Sequence, residues 1–159
     1  MQAEIIKIES LKLIGIKTTL RARAGEPKNM SVIPALWAQL GSVIPKIGNR
    51  LNHKRYAIIT GDLPDNEQGF CEYYALAAVS DYSNVPEELL KYEITEGKLV
   101  KFVHQGFPQT ICVTAGKAFF EWLPTSGESI AKNAELFIYD EGYDRNNPDA
   151  SFEYCLFLN

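Results

Sequence analysis

The chain of 159 residues has few of the residues from which metal sites and disulfide frameworks are built. Its three cysteines, Cys71, Cys112 and Cys155, are odd in number and widely spaced, and no CxxC pair occurs. The only histidines are His53 and His104. This scarcity argues against a zinc site and a disulfide-stapled fold. We therefore expect reduced thiols, no bound metal and no cofactor.

The chain also has no basic excess and no long apolar run. Lys and Arg number 16 against 20 Asp and Glu, so the formal net charge is −4, whereas proteins that bind nucleic-acid phosphates need a basic face. No segment approaches ~18 consecutive apolar residues, and the N-terminus lacks the pattern of a secretory signal. We expect a cytoplasmic protein that contacts neither nucleic acid nor membrane directly. A homodimer and a protein partner are left open.

Sequence signatures of catalysis are missing as well. The chain has no glycine-rich phosphate loop, no G-x-S-x-G elbow and no H-E-x-x-H pair, so no residue is predicted to be catalytic. The hydrophobic fraction of 46% and the charged fraction of 23% are those of a globular protein. At this length we expect a single domain over residues 1–159.

The sequence does contain a repeated order of predicted strands and helices. Both halves, residues 4–80 and 98–158, read as strand, helix, strand, strand. This repeat predicts an α+β fold with two pseudo-symmetric units, in which two helices cover one face of a curved antiparallel sheet. We expect a central ligand pocket, with the other, concave face of the sheet left open to bind something.

The first half should begin with one bent strand or two consecutive strands over residues 4–20, in which Gly15 could form a bulge. Ser31 is placed to cap a helix. The strands predicted after it are Arg55–Thr60 and Phe70–Ser80. The second half is predicted to contain, in order, Lys98–His104, a helix over Gln109–Leu123, Ala134–Asp140 and Phe152–Leu158. The connections are loops at Arg21–Asn29, Gly61–Gly69 and Glu141–Ala150, with a helical turn at Pro86–Leu90.

Glu135 is the residue most suggestive of function, because it interrupts an apolar strand. Alternation places Glu135, Phe137 and Tyr139 on one face of that strand. A carboxylate aligned with two aromatic rings suggests a cavity for an organic cation, since an unpaired buried carboxylate is costly. The alternative is that Glu135 lies on a solvated face or pairs with a lysine such as Lys132.

Aromatic residues are the other distinctive component. Most of them could simply be core, but tryptophan and tyrosine carry a polar group that needs a partner when buried. Ring faces attract cations by about 0.5–2 kcal/mol each, so such residues could form the walls of a cation pocket. The residues predicted to form these walls around Glu135 are Trp37, Tyr74, Phe137, Tyr154 and Trp122.

The chain resembles the GyrI-like small-molecule-binding domain, which also serves as the effector-binding module of AraC-type and MerR-type transcription regulators. The most specific motif is the run Glu121-Trp122-Leu123-Pro124 followed by Thr125-Ser126-Gly127. The other motifs, in order along the chain, are Ile14-Gly15-Ile16, Ile33-Pro34-Ala35-Leu36-Trp37, Leu99-Val100-Lys101-Phe102-Val103-His104-Gln105-Gly106 and Ala134-Glu135-Leu136-Phe137-Ile138-Tyr139-Asp140.

This resemblance implies a central hydrophobic pocket for drug-like, often cationic, aromatic molecules, with a strand glutamate that meets the positive charge. Many members place that glutamate at the position of Phe137, whereas Glu135-Leu136-Phe137-Ile138 looks like the version of the MerR-type regulators. Positions 135 and 137 lie on the same face of the strand, so the carboxylate should face the pocket from either one. No helix-turn-helix segment precedes the domain, so we expect a stand-alone ligand binder. Two alternatives remain, a hydrolase of reactive small molecules and a gyrase-interacting protective protein.

Overall fold

The computed structural model describes residues 2–21, 30–63 and 69–159. Two of the predicted loops, Arg21–Asn29 and Gly61–Gly69, lie largely outside these residues. Within them, the helices are all too short or too polar to cross a lipid bilayer. None of the three cysteines forms a disulfide.

The fold is built on one antiparallel sheet of eight strands over the described residues. Neighbouring strands follow the order β1-β6-β8-β7-β3-β4-β2-β5. The strands are β1 (Ala3–Ile8), β2 (Leu11–Arg21), β3 (Arg55–Thr60), β4 (Phe70–Val79), β5 (Leu90–Ile94), β6 (Gly97–Gln105), β7 (Ile130–Tyr139) and β8 (Ser151–Leu158). All the predicted strands are present, and the first segment divides into two.

Two helical segments connect these strands. The first is α1 (Val32–Val43), which continues into a 3-10 turn. Ser31 occupies the N-cap position as predicted, but its side chain makes no capping hydrogen bond. The second segment, residues 108–126, consists of a 3-10 turn (Pro108–Thr110), α2 (Ile111–Lys117), a π-helical turn (Ala118–Trp122) and α3 (Leu123–Ser126).

The strand order contains the predicted twofold repeat. Each half consists of two strands, a helical segment and two more strands, and exchanging β1–β4 with β5–β8 reverses the strand order onto itself. The halves are interlocked, because β1 pairs with β6 and β5 pairs with β2. β5 begins at Leu90, within the segment that was predicted to be a connector with a helical turn. The observed turn there is short, with the Leu89 amide donating to the Pro86 carbonyl at 3.0 Å.

Both faces of the sheet are buried, which corrects the expectation of an open concave face. One face packs against the helices through residues such as Leu36 and Leu40. The opposite face forms a second core whose members all lie on strands, including Leu13, Ile58 and Leu136, each no more than 1% exposed. The sheet is curved enough to cover this face itself. A ligand cavity therefore has to lie on the helical side.

Gly15 serves close strand packing rather than a bulge. The pairing of β2 with β4 runs without a break from Lys12 opposite Val79 to Arg21 opposite Phe70, so the predicted bulge is wrong. A Cβ atom on Gly15 would lie 1.9 Å from the carbonyl oxygen of Ala75. Only a residue without a side chain permits the two backbones to approach this closely.

Candidate functional site

A cavity of about 620 Å3 lies between the two helical segments and the sheet. This volume is within the range of about 300–1,000 Å3 that small-molecule pockets occupy. The residues that line it are Met30, Ile33, Pro34, Trp37, Arg55, Tyr73, Pro108, Gln109, Ile111, Tyr139, Tyr143, Asp144 and Arg145. The predicted central pocket is thus present, on the helical side of the sheet.

The wall formed by α1 follows from helical spacing. Ile33 and Trp37 are four residues apart and therefore lie on the same side of the helix. Leu36 and Leu40 are buried against the sheet, which fixes the rotation of α1. Pro34 is tolerated because it falls in the first turn, where its missing N–H is not required. The helix therefore presents an apolar edge with one indole ring to the cavity.

The second wall is held by His104, which is 3% exposed. Its Nε2 atom lies 3.0 Å from the carbonyl oxygen of Phe107, and its Nδ1 atom lies 2.7 Å from the Thr114 hydroxyl. A carbonyl can only accept, so Nε2 carries a proton, and Nδ1 and the Thr114 hydroxyl share the second hydrogen bond. These bonds tie the end of β6 to α2 and fix Pro108 and Ile111 at the cavity. His104 therefore has a structural role, at the junction of β6 and the second helical segment.

Aromatic side chains form the sheet surface of the cavity. Tyr73 projects from β4 and Tyr139 from β7, both toward the helices. Trp37 joins them, because its indole nitrogen donates to the Tyr73 hydroxyl at 2.8 Å and its ring lies 6.4 Å from the Tyr139 ring in an edge-to-face arrangement. Tyr139 also packs against Tyr143 and Phe152, at ring distances of 4.9 and 4.8 Å. The rings thus support one another around the cavity.

The phenols of this surface are uncharged at neutral pH. Burial raises the pKa of Tyr73 to about 12. Burial also raises the pKa of Tyr139 well above its usual value, and the positive charges of Arg55 and Arg145 oppose that rise. Both hydroxyls therefore keep their protons and can take part in hydrogen bonds with a ligand.

The outer end of the cavity is formed by the loop after β7. Arg55, at the start of β3, donates from a terminal guanidinium nitrogen to the Tyr143 carbonyl at 2.9 Å. Its guanidinium carbon lies 5.9 Å from the centre of the Tyr143 ring. Asp144 and Arg145 follow in the same loop and complete the lining. This end of the cavity is therefore polar and charged, unlike the aromatic surface beside it.

Glu135 is buried, with 5% of its surface exposed, so the alternative of a solvated side chain is wrong. Its carboxylate accepts a hydrogen bond from the Tyr154 hydroxyl. Burial and the charge of Glu135 raise the pKa of Tyr154, which keeps that phenol protonated as the donor. The lysine suggested as a partner, Lys132, lies instead with its ammonium 4.1 Å from the Phe157 ring centre.

Glu135 lies on the same face of the sheet as the cavity. It is paired in register with Ile59 and Leu156, both members of the core on the helical side. Glu135 and the lining residue Tyr139 are four residues apart on β7, about 13 Å at about 3.3 Å per residue. Phe137 lies between them, with its ring 5.4 Å from that of Tyr154. The carboxylate is thus separated from the cavity by aromatic rings.

The structure brings together some of the predicted wall residues and separates others. Trp37 lines the cavity, and Phe137 and Tyr154 surround Glu135. Trp122 is on the helical side too, edge-to-face with Phe102 at 5.5 Å. Tyr74 lies on the opposite face, where its hydroxyl donates to Glu72 at 2.8 Å.

Of the lining residues named above, Trp37 alone belonged to the sequence-based set, and the residues that it missed include Tyr73, Tyr139, Tyr143 and Arg55. A signal for Tyr73 was available in β4. The face of Tyr73 continues with Ala75 and Ala77, small residues that leave room for a helix, whereas the face of Tyr74 continues with Leu76. Arg55 and Tyr143 carry no comparable local signal, since they are 88 positions apart in the chain.

Several solved structures share this fold at low sequence identity. SAV2435 bound to tetraphenylphosphonium is 15% identical with a TM-score of 0.74, and the match covers 100% of this chain and 94% of that one. The C-terminal domain of EcmrR is 15% identical with a TM-score of 0.74, covering 99% and 97%. A hydrolase encoded by lin2189 from Listeria innocua is 13% identical with a TM-score of 0.56, covering 99% and 92%.

No curated protein matches the chain. The family is established instead by a match of the sequence to a family model. The family model described as the GyrI-like small molecule binding domain matches residues 1–158, which is nearly the whole length. The fold, the twofold repeat and the cavity between the helices agree with this match. The chain therefore belongs to the family of GyrI-like small-molecule-binding domains.

Proposed function

We propose that the chain binds lipophilic aromatic cations in the cavity between its helical segments, with Glu135 as the counter-ion. The observation that carries this proposal is a ring-lined cavity on the same sheet face as a buried carboxylate. Tetraphenylphosphonium, the ligand of the structural neighbour SAV2435, is a cation of this kind.

Two physical terms would supply the affinity. Burial of apolar ligand surface contributes roughly 25 cal/mol per Å2, and each ring face of Trp37 or the tyrosines adds about 0.5–2 kcal/mol for a nearby cation. Glu135 then selects the sign of the charge. At about 10 Å and an effective dielectric of about 20, two unit charges still interact by about 1.7 kcal/mol. The carboxylate therefore acts on a cation even before contact.

Direct contact with Glu135 would require movement of the intervening rings. Phe137 and Tyr154 are 6% and 0% exposed, so a cation entering from the cavity has to displace one of them. The inner end of the cavity nevertheless favours a cation, because the outer end carries Arg55 and Arg145 and repels it. The cation should therefore lie toward Glu135 and away from the loop.

The proposal is tested with two ligands of nearly equal shape and opposite charge, tetraphenylphosphonium and tetraphenylborate. The chain has two tryptophans, so Trp122→Phe leaves Trp37 as the single fluorescent indole at the cavity. We expect both ligands to quench the fluorescence of Trp37 at high concentration. The cation should bind at least about tenfold more tightly than the borate. Equal affinities, or tighter binding of the borate, would contradict the proposal.

A second candidate function, hydrolysis, is favoured by the hydrogen bond between Tyr154 and Glu135. A carboxylate beside a protonated phenol is a pairing that acid–base catalysis can use, and a neighbour with this fold is a hydrolase. Turnover of an aryl ester that is lost in both Glu135→Gln and Tyr154→Phe would favour this candidate. Binding of tetraphenylphosphonium without any ester turnover would favour the binder.

A further inference from the structure

We propose that the ligand also carries an anionic group, such as a carboxylate, which binds Arg55 and Arg145 at the outer end of the cavity. The preferred ligands would then be aromatic zwitterions, with the cation directed toward Glu135 and the anion toward the loop. This inference rests on the proposed function and names the ligand class more narrowly.

Arg55 is held in position for such a contact. It is half-buried, and one hydrogen bond to the Tyr143 carbonyl orients its guanidinium beside the Tyr143 ring. A guanidinium presents five N–H donors in a fixed plane, a geometry that matches a carboxylate with two parallel bonds. Because Arg55 is already ordered, little side-chain freedom is lost when an anion binds.

Arg145 provides the second positive charge. It is exposed at the loop and makes no hydrogen bond or ion pair to any residue in the described part of the chain. Its charge nevertheless acts on the phenols of Tyr73, Tyr139 and Tyr143, as does that of Arg55. Both residues line the cavity, and Arg55 contacts the loop that carries Arg145.

The only acidic residue that lines the cavity within the described chain, Asp144, does not neutralise this pair. Its carboxylate accepts a hydrogen bond from the Asn146 amide at 2.9 Å and forms no ion pair with Arg55 or Arg145. The lining thus carries two positive charges and one negative charge. This excess attracts an anionic group to the outer end of the cavity.

Tyr143 adds a hydrogen-bonding group at the same end. Its hydroxyl is buried and has no hydrogen-bond partner among the described residues. A buried polar group without a partner is unfavourable, and a ligand oxygen that reached this hydroxyl would satisfy it. The donors and charges at this end therefore all fit an acceptor-rich, negatively charged ligand group.

The test uses rhodamine 110 and its methyl ester, rhodamine 123, which share one aromatic cation and differ only in whether the carboxyl group is free or esterified. We expect the free acid to bind the unaltered protein about tenfold more tightly than the ester. In Arg145→Gln this ratio should fall severalfold through weaker binding of the acid alone, and the part that remains is due to Arg55. Lys7→Gln, which removes an exposed positive charge from β1, should leave the ratio unchanged.

The possible outcomes separate this inference from the proposed function. Equal affinity for the two dyes, or an unchanged ratio in Arg145→Gln, would overturn the anion site while leaving the cation site intact. Failure of both dyes to bind would overturn both proposals. Arg145 is the preferred position because Arg55 also holds the loop, and the fold of each variant is checked by circular dichroism.

Discussion

Glu135→Gln should weaken the binding of tetraphenylphosphonium by at least about tenfold, while the affinity for tetraphenylborate stays equal or rises. Glutamine keeps the shape of the side chain and can still accept from Tyr154, so the variant removes little besides the negative charge. Attraction of about 1.7 kcal/mol at about 10 Å corresponds to more than a tenfold change, and the effect grows if the cation comes closer. Isothermal titration of both ligands measures it.

Glu153→Gln is the matched control for this experiment. Glu153 precedes Tyr154 on β8, lies on the opposite face of the sheet and pairs with Lys101 at 3.0 Å. The Glu153→Gln variant therefore removes one negative charge, as Glu135→Gln does, but leaves the face of the sheet that carries the cavity unchanged. The counter-ion role of Glu135 would be refuted by equal losses for phosphonium and borate, or by an equal loss of phosphonium binding in Glu153→Gln.

The largest expected effect on stability is that of Gly15→Ala, which should lower the free energy of unfolding by about 3 kcal/mol or prevent folding. The added Cβ would meet the Ala75 carbonyl oxygen at 1.9 Å and the Leu76 Cα at 2.9 Å. These are backbone atoms of a paired strand, so the clash is relieved only if β2 and β4 separate. Overpacking costs about 1–3 kcal/mol even where side chains alone must adjust.

Gly41→Ala provides the contrast, because nothing lies within 4 Å of a Cβ built at Gly41 in α1. Replacing an exposed helical glycine by alanine should stabilise the protein by about 0.5–1 kcal/mol. Urea unfolding of the two variants measures both changes. A Gly15→Ala protein as stable as the unaltered chain would show that the strands are not packed this closely.

Local alternation was enough to predict part of the fold and of the site. The strand parity of β7 correctly places Glu135, Phe137 and Tyr139 on one face. This prediction succeeds because it depends only on the geometry of a single element. In α1, helical spacing puts Ile33 and Trp37 on one side of the helix, and both line the cavity.

Hydrophobic alternation by itself does not decide between Tyr73 and Tyr74. β4 is buried on both faces over most of its length, so hydrophobic alternation does not identify the face that meets the helices. β5 was missed for a different reason, because an edge strand of five residues gives only a short pattern. Its apolar positions Leu90, Tyr92 and Ile94 do alternate, and this was the signal available.

The charged end of the cavity depends on contacts that are distant in the sequence. Arg55 and the loop after β7 meet because β3 pairs with β7, with Arg55 opposite Tyr139. That pairing joins the two halves of the molecule at the centre of the sheet. Nothing in the segment around Arg55 or Arg145 indicates a shared site. The proximity of Arg55 and Arg145 becomes evident only when the pairing of β3 with β7 is known.

The most direct measurement is a crystal structure with tetraphenylarsonium, a close analogue of the phosphonium ion whose arsenic atom can be located by anomalous scattering. We expect a single arsenic peak between the helical segments, against the rings of Trp37 and Tyr73 and nearer to the Glu135 carboxylate than to either guanidinium, because Tyr73 is paired with Ile59 and Ile59 with Glu135. A peak confined to the outer surface, or nearer to Arg55 and Arg145 than to Glu135, would contradict the assignment of Glu135 as the counter-ion.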